Sequence, residues 1–206
     1  MINLKELYEK IGDIRLVAVS KNVTSKEVIE LINQGQIEFG ENRVQEMAKK
    51  QTELANFNPK WHMIGRLQDN KINQLISLRP TLWQSCDSLK KAVAVDKRLS
   101  YKLDTLLQIN SANEDSKQGV STSQAIEEYL KIQQECKNIN LIGVMSIGAN
   151  VEDEKQIQKS FEQTYKIYES LRSDGAKICS MGMSSDFMLA IKCGSNMIRL
   201  GSILYR

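Results

Sequence analysis

IRLVAVSKNVTSKEVIELINQGQIEFGE, residues 14–41, holds a strand, a helix and a second strand in that order. IRLVAVS (14–20) is a run of residues fit for burial and reads as the inside of a sheet. SKEVIELINQG (25–35) carries its apolar residues at helical spacing, with Thr24 as N-cap and Gly35 as stop. IEFGE (37–41) is extended again. Two strands joined through a helix pair in parallel, because the crossover returns the chain to the same end of the sheet. The alternation then continues. Helices are expected at 42–54, 70–78, 88–101, 121–136, 151–175 and 185–194. Strands fall between them at WHMIG (61–65), TLWQSCD (81–87), DTLLQIN (104–110), INLIGVMS (139–146), AKICSMG (176–182) and NMIRLGS (196–202). The two prolines, Pro59 and Pro80, stand just before strands, where no ladder donor is lost. Eight such repeats predict an α/β fold, a closed (β/α)8 TIM barrel, with an open doubly wound sheet as the structural rival. No linker or low-complexity segment interrupts them, so residues 1–206 are expected to form one domain.

Composition narrows the function. Hydrophobic residues make up 41% and charged residues 26% of 206 positions, an ordinary globular balance. A net charge of +3, spread without blocks of one sign, does not argue for nucleic acid. Cys86, Cys136, Cys179 and Cys193 are far apart and His62 is the only histidine, which argues against a zinc site. The cysteines read as small buried apolar residues. The polar N-terminus has no signal-peptide core, and no run approaches the ~20 apolar residues of a membrane helix. A cytoplasmic, monomeric protein with free thiols is the expectation.

In a (β/α)8 barrel the chemistry gathers where the strands end. Read there, the chain offers Lys21 after the first strand, then Glu41 and Asn42, and His62 with Gly65. Later strands end at Cys86 and Asp87, at Asn110, at Met145 and Ser146, at the SMGMS run 180–184, and at Arg199, Gly201 and Ser202. A lysine at a strand end is ordinarily just solvated. In a protected pocket, burial lowers an amine's pKa and makes it a nucleophile. Ser180, Ser184, Ser202, Gly182 and Gly201 suit a phosphate cradle, since glycine lets a phosphate reach backbone N–H groups and serine hydroxyls complete the shell. Alone, they would be an ordinary turn. Arg199 shares a strand face with Gly201, and an inward arginine needs an anion or an acceptor. A lysine, a phosphate cradle and an arginine in one barrel mouth suggest a phosphorylated aldehyde held as an imine, of which pyridoxal 5'-phosphate (PLP) is the commonest cofactor example.

LVAVSK, FGENRVQE, WHMIGRLQDNK, GVMSIG, SMGMSSDF and IRLGSILY, in that order and spread over nearly the whole chain, resemble the motifs of the pyridoxal phosphate homeostasis protein family. The resemblance implies a barrel like the N-terminal domain of alanine racemase, with PLP joined covalently to Lys21. It implies Arg199 facing the pyridine nitrogen, Gly201, Ser202 and Ser180 holding the phosphate, and Asn42 and His62 lining the ring. It implies a role in intracellular PLP homeostasis, with transient contacts to PLP-dependent apoenzymes and no turnover. A packed, hydrogen-bonded histidine remains an equal reading of His62.

Alternatives stand beside this one. A PLP-dependent amino-acid racemase would need a second base, a tyrosine from a C-terminal β domain of a partner chain, and this sequence ends where that domain would begin. An aldolase using a lysine imine would need an acid/base partner, for which Glu41 is the only nearby carboxylate. A barrel for another phosphorylated metabolite would leave Lys21 pairing with the phosphate. The loop 111–119 reads either as a mobile lid or as solvated chain, with Lys117 as a candidate second acceptor of the aldehyde.

Overall fold

The computed structural model describes residues 3–111, 118–149, 151 and 153–205. The loop segment 112–117, with Lys117, lies outside the described residues. After α1 (Leu4–Ile11), strands β1 (Arg15–Val19), β2 (Glu38–Glu41), β3 (Lys60–Met63) and β4 (Leu82–Cys86) alternate with α2 (Ser25–Asn33), α3 (Val44–Glu53) and α4 (Ile72–Leu78). Next come α5 (Leu89–Asp96), β5 (Leu103–Asn110), β6 (Val120–Ser121), α6 (Ala125–Glu135) and β7 (Ile139–Ser146). The chain finishes with α7 (Glu154–Ser170), β8 (Ile178–Ser180), α8 (Phe187–Lys192), β9 (Met197–Leu200) and α9 (Ser202–Tyr205).

Every strand pairing is parallel. The ring runs β1–β2–β3–β4–β5–β7–β8–β9, and the β9–β1 and β4–β5 pairings close it. This is the expected eight-stranded barrel, and the open sheet is ruled out by closure. The short β6 was not anticipated. It sits on the last two residues of β5, past the point where β4 stops.

Strand alternation sorts the side chains. Val17, Leu82, Leu106, Met145, Ile178 and Met197 fill the barrel interior. Leu16, Ala18, Phe39, Trp61, Leu107 and Ile198 face outward under the helices. The helices are placed by the same logic: α2 buries Val28 and Leu31, and Thr24 and Glu27 close its N-terminus as a reciprocal capping box. All four cysteines are free, and three are buried. Burial pushes the Cys179 thiol up to about 12, so it packs as an apolar group rather than reacting.

Two bulges flank β5. Thr105 and Leu107 are two apart on β5, but their partners Leu141 and Val144 are three apart on β7, and Trp83 and Cys86 three apart on β4. The extra residue in β7 falls at Ile142–Gly143. It places both Ile142 and Met145 with the interior cluster, where strict alternation would have sent them to opposite faces.

Candidate functional site

A cavity of about 280 Å3 opens at the C-terminal ends of the strands. Lys21, Asn42 and Arg199 line it together with Gln108, Gln118 and Arg66, and Val19, Ile64, Met145, Ile147 and Met183 supply apolar wall. Lys21 stands two residues beyond β1, in a turn that continues through Asn22 at φ 60°. It is exposed while still lining the cavity. Its strand is fixed from behind: the Ser20 hydroxyl donates to Glu41 Oε1 at 2.7 Å, and buried Lys50 donates to the same oxygen and to the Ser20 carbonyl. Glu41 thus faces the helix layer rather than the cavity, which removes the one carboxylate that an aldolase reading had available.

Asn42 reaches the cavity because the loops after β2 and β3 touch. A Cβ on Gly65 would lie 2.3 Å from the Asn42 carbonyl oxygen, so only glycine permits this approach. Beside it, a larger cavity of about 680 Å3 runs over Asn42–Glu46 and Gly65–Lys71 and shares Asn42, Gly65 and Arg66 with the first. It contains neither Lys21 nor Arg199, so the smaller cavity is the candidate site.

Arg199 enters from β9 and is 4% exposed. Its Nη1 donates to Ser180 Oγ at 2.6 Å and its Nη2 to the Ser146 carbonyl at 2.8 Å. Burial lowers the guanidinium to about 10, with Asp186 opposing the shift, so it stays charged at neutral pH. Ser180 is therefore not a wall of the cavity. Its hydroxyl accepts from Arg199 and donates to Gln84 Oε1 at 2.7 Å.

His62 is likewise placed below the cavity, in the barrel interior and fully buried. Its Nδ1 is 2.9 Å from Gln84 Nε2, and its Nε2 is 3.8 Å from Glu38 Oε2. Burial, with Arg15 and Lys60 adding to it, drives the imidazole down to about 3. Of the two readings of this histidine, the packed and hydrogen-bonded one describes its position. Gly201 abuts Val19 at the mouth, and its N–H donates to the Ser184 hydroxyl at 3.2 Å. Ser202, expected at the end of a strand, opens α9 instead and is exposed.

The structure thus joins Lys21, Asn42 and Arg199 in one cavity and sets Gly201 and Ser202 at its β9 edge. Gln84 and Gln108 did not emerge from the strand-end reading. The available signal was a glutamine on the inward face of a strand buried at every position, as in LWQSC.

Fold and site define a class: a parallel (β/α)8 barrel presenting an amine and a guanidinium to one small cavity at its C-terminal mouth. The family model for the alanine racemase N-terminal domain matches residues 2–206. A pyridoxal phosphate homeostasis protein of Helicobacter pylori is 46% identical over 202 residues, covering 97% of this chain and 90% of that one. A human protein of the same name is 35% identical over 211 residues, covering 93% and 75%. The solved structure of PipY from Synechococcus elongatus with PLP bound superposes with a TM-score of 0.88 at 29% identity, covering 98% of both chains. The chain belongs to the alanine racemase N-terminal domain family and, within it, to the pyridoxal phosphate homeostasis proteins.

Proposed function

We propose that this chain binds PLP covalently through Lys21 and serves intracellular PLP homeostasis in the cytoplasm, as a single-domain carrier without turnover of its own. The observation that carries the reading is the joint placement of Lys21 and Arg199 in one cavity whose other described walls offer neither a carboxylate nor a tyrosine. The cavity lies near the low end of ligand-pocket volumes, roughly 300–1,000 Å3, which suits a small aromatic phosphate. The mixed lining fits as well: an amine for an aldehyde, a cation for a ring heteroatom, methionine and isoleucine for a flat ring.

In this reading PLP supplies an electrophilic aldehyde and an electron-withdrawing ring. Lys21 would hold it, and the exposure of its amine would leave the bond open to exchange with other amines. Arg199 would be the residue set toward the ring nitrogen; charged at neutral pH, it would keep a proton off that nitrogen and hold the ring's electron demand low. Asn42 would border the ring, and the Ser202 hydroxyl and the Ser184 hydroxyl, which accepts from the Gly201 N–H, would serve the phosphate. Ser180 acts one layer down, on Arg199. A racemase would need a second proton-transfer group opposite the lysine, and none lines the described part of the cavity.

The test is a visible absorbance spectrum of the purified protein with PLP, then borohydride reduction and peptide mapping. The expected result is an imine band and a pyridoxyl group on Lys21. In Lys21→Ala the band disappears, while unfolding free energy stays within about 0.5 kcal/mol because the side chain is exposed. Reduction that labels exposed lysines at random, or no band at all, would overturn the reading. An amino-acid racemisation assay on the loaded protein separates carrier from enzyme, and a carrier shows none.

A further inference from the structure

We propose that His62 and Gln84 are positioning residues for Arg199: with Ser180 they form a one-directional hydrogen-bond column along the barrel axis, from the Arg199 guanidinium at the mouth down to His62, whose Nε2 faces the Glu38 carboxylate at the opposite end. The hydrogen bonds are continuous as far as His62. Arg199 Nη1 meets Ser180 Oγ at 2.6 Å, Ser180 meets Gln84 Oε1 at 2.7 Å, and Gln84 Nε2 meets His62 Nδ1 at 2.9 Å. His62 Nε2 and Glu38 Oε2 lie 3.8 Å apart, beyond hydrogen-bond reach, and both are buried polar atoms without a hydrogen-bond partner among the described residues. Arg15 holds the second Glu38 oxygen at 2.8 Å and reaches the barrel's far end, with its side chain 42% exposed.

The end groups decide the direction. A guanidinium only donates and a carboxylate only accepts. Ser180, accepting from Arg199, keeps its own proton for Gln84, the other partner within hydrogen-bond distance of its hydroxyl. That assigns the Gln84 oxygen to Ser180 and its amide nitrogen to His62. His62 Nδ1 is then an acceptor, the ring proton sits on Nε2, and it faces Glu38. Reversing the histidine tautomer would set a lone pair against the carboxylate and leave the Gln84 amide facing an N–H. Only one arrangement pairs donor with acceptor at every step from Arg199 to His62 and turns an N–H rather than a lone pair toward Glu38, and a buried network ordered in this way holds a single geometry.

Arg199 has two described side-chain anchors, Ser180 and the Ser146 carbonyl, so losing the column frees half of its hold. The column therefore aims Arg199 into the cavity. That last role rests on the PLP reading; the column itself does not.

The chain has one histidine, so labelling with 15N-histidine yields one imidazole. On the ligand-free protein at neutral pH, we expect a single tautomer with Nδ1 unprotonated and Nε2 protonated. We expect the Nδ1 signal to move in Ser180→Ala, although Ser180 makes no described contact with His62. A protonated Nδ1, a mixture of tautomers, or an Nδ1 signal unchanged in Ser180→Ala would overturn the column. The wild-type tautomer needs no variant, so a poorly folding Ser180→Ala leaves the test intact.

For the positioning role, Gln84→Leu is expected to weaken PLP binding about tenfold and shift the bound absorbance maximum. A variant that loses only thermal stability, with affinity and spectrum unchanged, would overturn that role. If the wild type binds no PLP, the proposed function fails, and the imidazole experiment still decides the column.

Discussion

His62 shows how far one residue type can be read and where the reading stops. The only histidine of a chain, at a strand end next to Trp61, invites a place in the active site. Its position on β3 was legible. Its depth was not, because depth depends on which strand face turns inward and how far the neighbouring strands are staggered. Fully buried, it is held neutral by desolvation, with Arg15 and Lys60 opposing its charge and Glu38 the single carboxylate beside it. The consequence for stability has a definite sign. The folded imidazole titrates at about 3 and the unfolded one near 6.5, so below that value the unfolded chain binds the extra proton. Stability is complete above pH 6.5 and falls as the pH drops. Between pH 7 and pH 5 the loss is about 2 kcal/mol. Urea unfolding at the two pH values measures it, and His62→Gln is expected to flatten that slope. Lys21 is the converse case: its motif and its strand-end location marked it, and the structure adds that its amine is exposed.

At the scale of the element, the strand and helix order was legible because period-two and period-3.6 patterns alternate so regularly. Strand ends were less so. Β8 stops at Ser180 rather than 182, where Gly182 turns at φ +97°, and β9 stops at Leu200, leaving Ser202 to α9. The β7 bulge was invisible to pattern reading, since INLIGVMS reads as an unbroken buried strand. Gly143 makes it possible: its φ is +152°, and a Cβ there would lie 1.9 Å from the Ile178 carbonyl oxygen. The bulge sends Met145 into the cavity. Gly143→Ala is therefore expected to cost about 3 kcal/mol or more in urea unfolding. It should also weaken PLP binding in a titration, because Met145 and the Ser146 carbonyl that anchors Arg199 both lie just past the bulge.

For the whole molecule, the question is what fastens the helix layer to the barrel beside the mouth. Lys50 of α3 is buried against Glu41 of β2 and the carbonyl of Ser20, the residue between β1 and Lys21. A lysine three residues after Met47, itself three after Val44, falls on the inward helix face. That spacing was the available signal, and a basic residue obscured it. Removing one partner of a buried pair strands the other charge. Lys50→Met is expected to cost about 3–5 kcal/mol, and adding Glu41→Gln to recover about 1–2 kcal/mol of it, as chemical unfolding of the wild type and the two variants would show.

The sequence by itself determined the alternation of strands and helices, hence the closed parallel barrel, and the order in which Lys21, Asn42, Arg199 and Gly201 reach its mouth. These follow from local periodicity and from the rule that crossovers return each strand in the same direction. Only the tertiary structure decided which of the polar residues face the cavity and which lie beneath it. Ser180 and His62 went below and Glu41 went outward, because facing is set by strand stagger and by bulges, which arise from contacts between residues far apart in the chain. The same long-range packing joined residues of β2, β3, β4, β8 and β9 into one polar column, a feature that no single segment of the sequence contains.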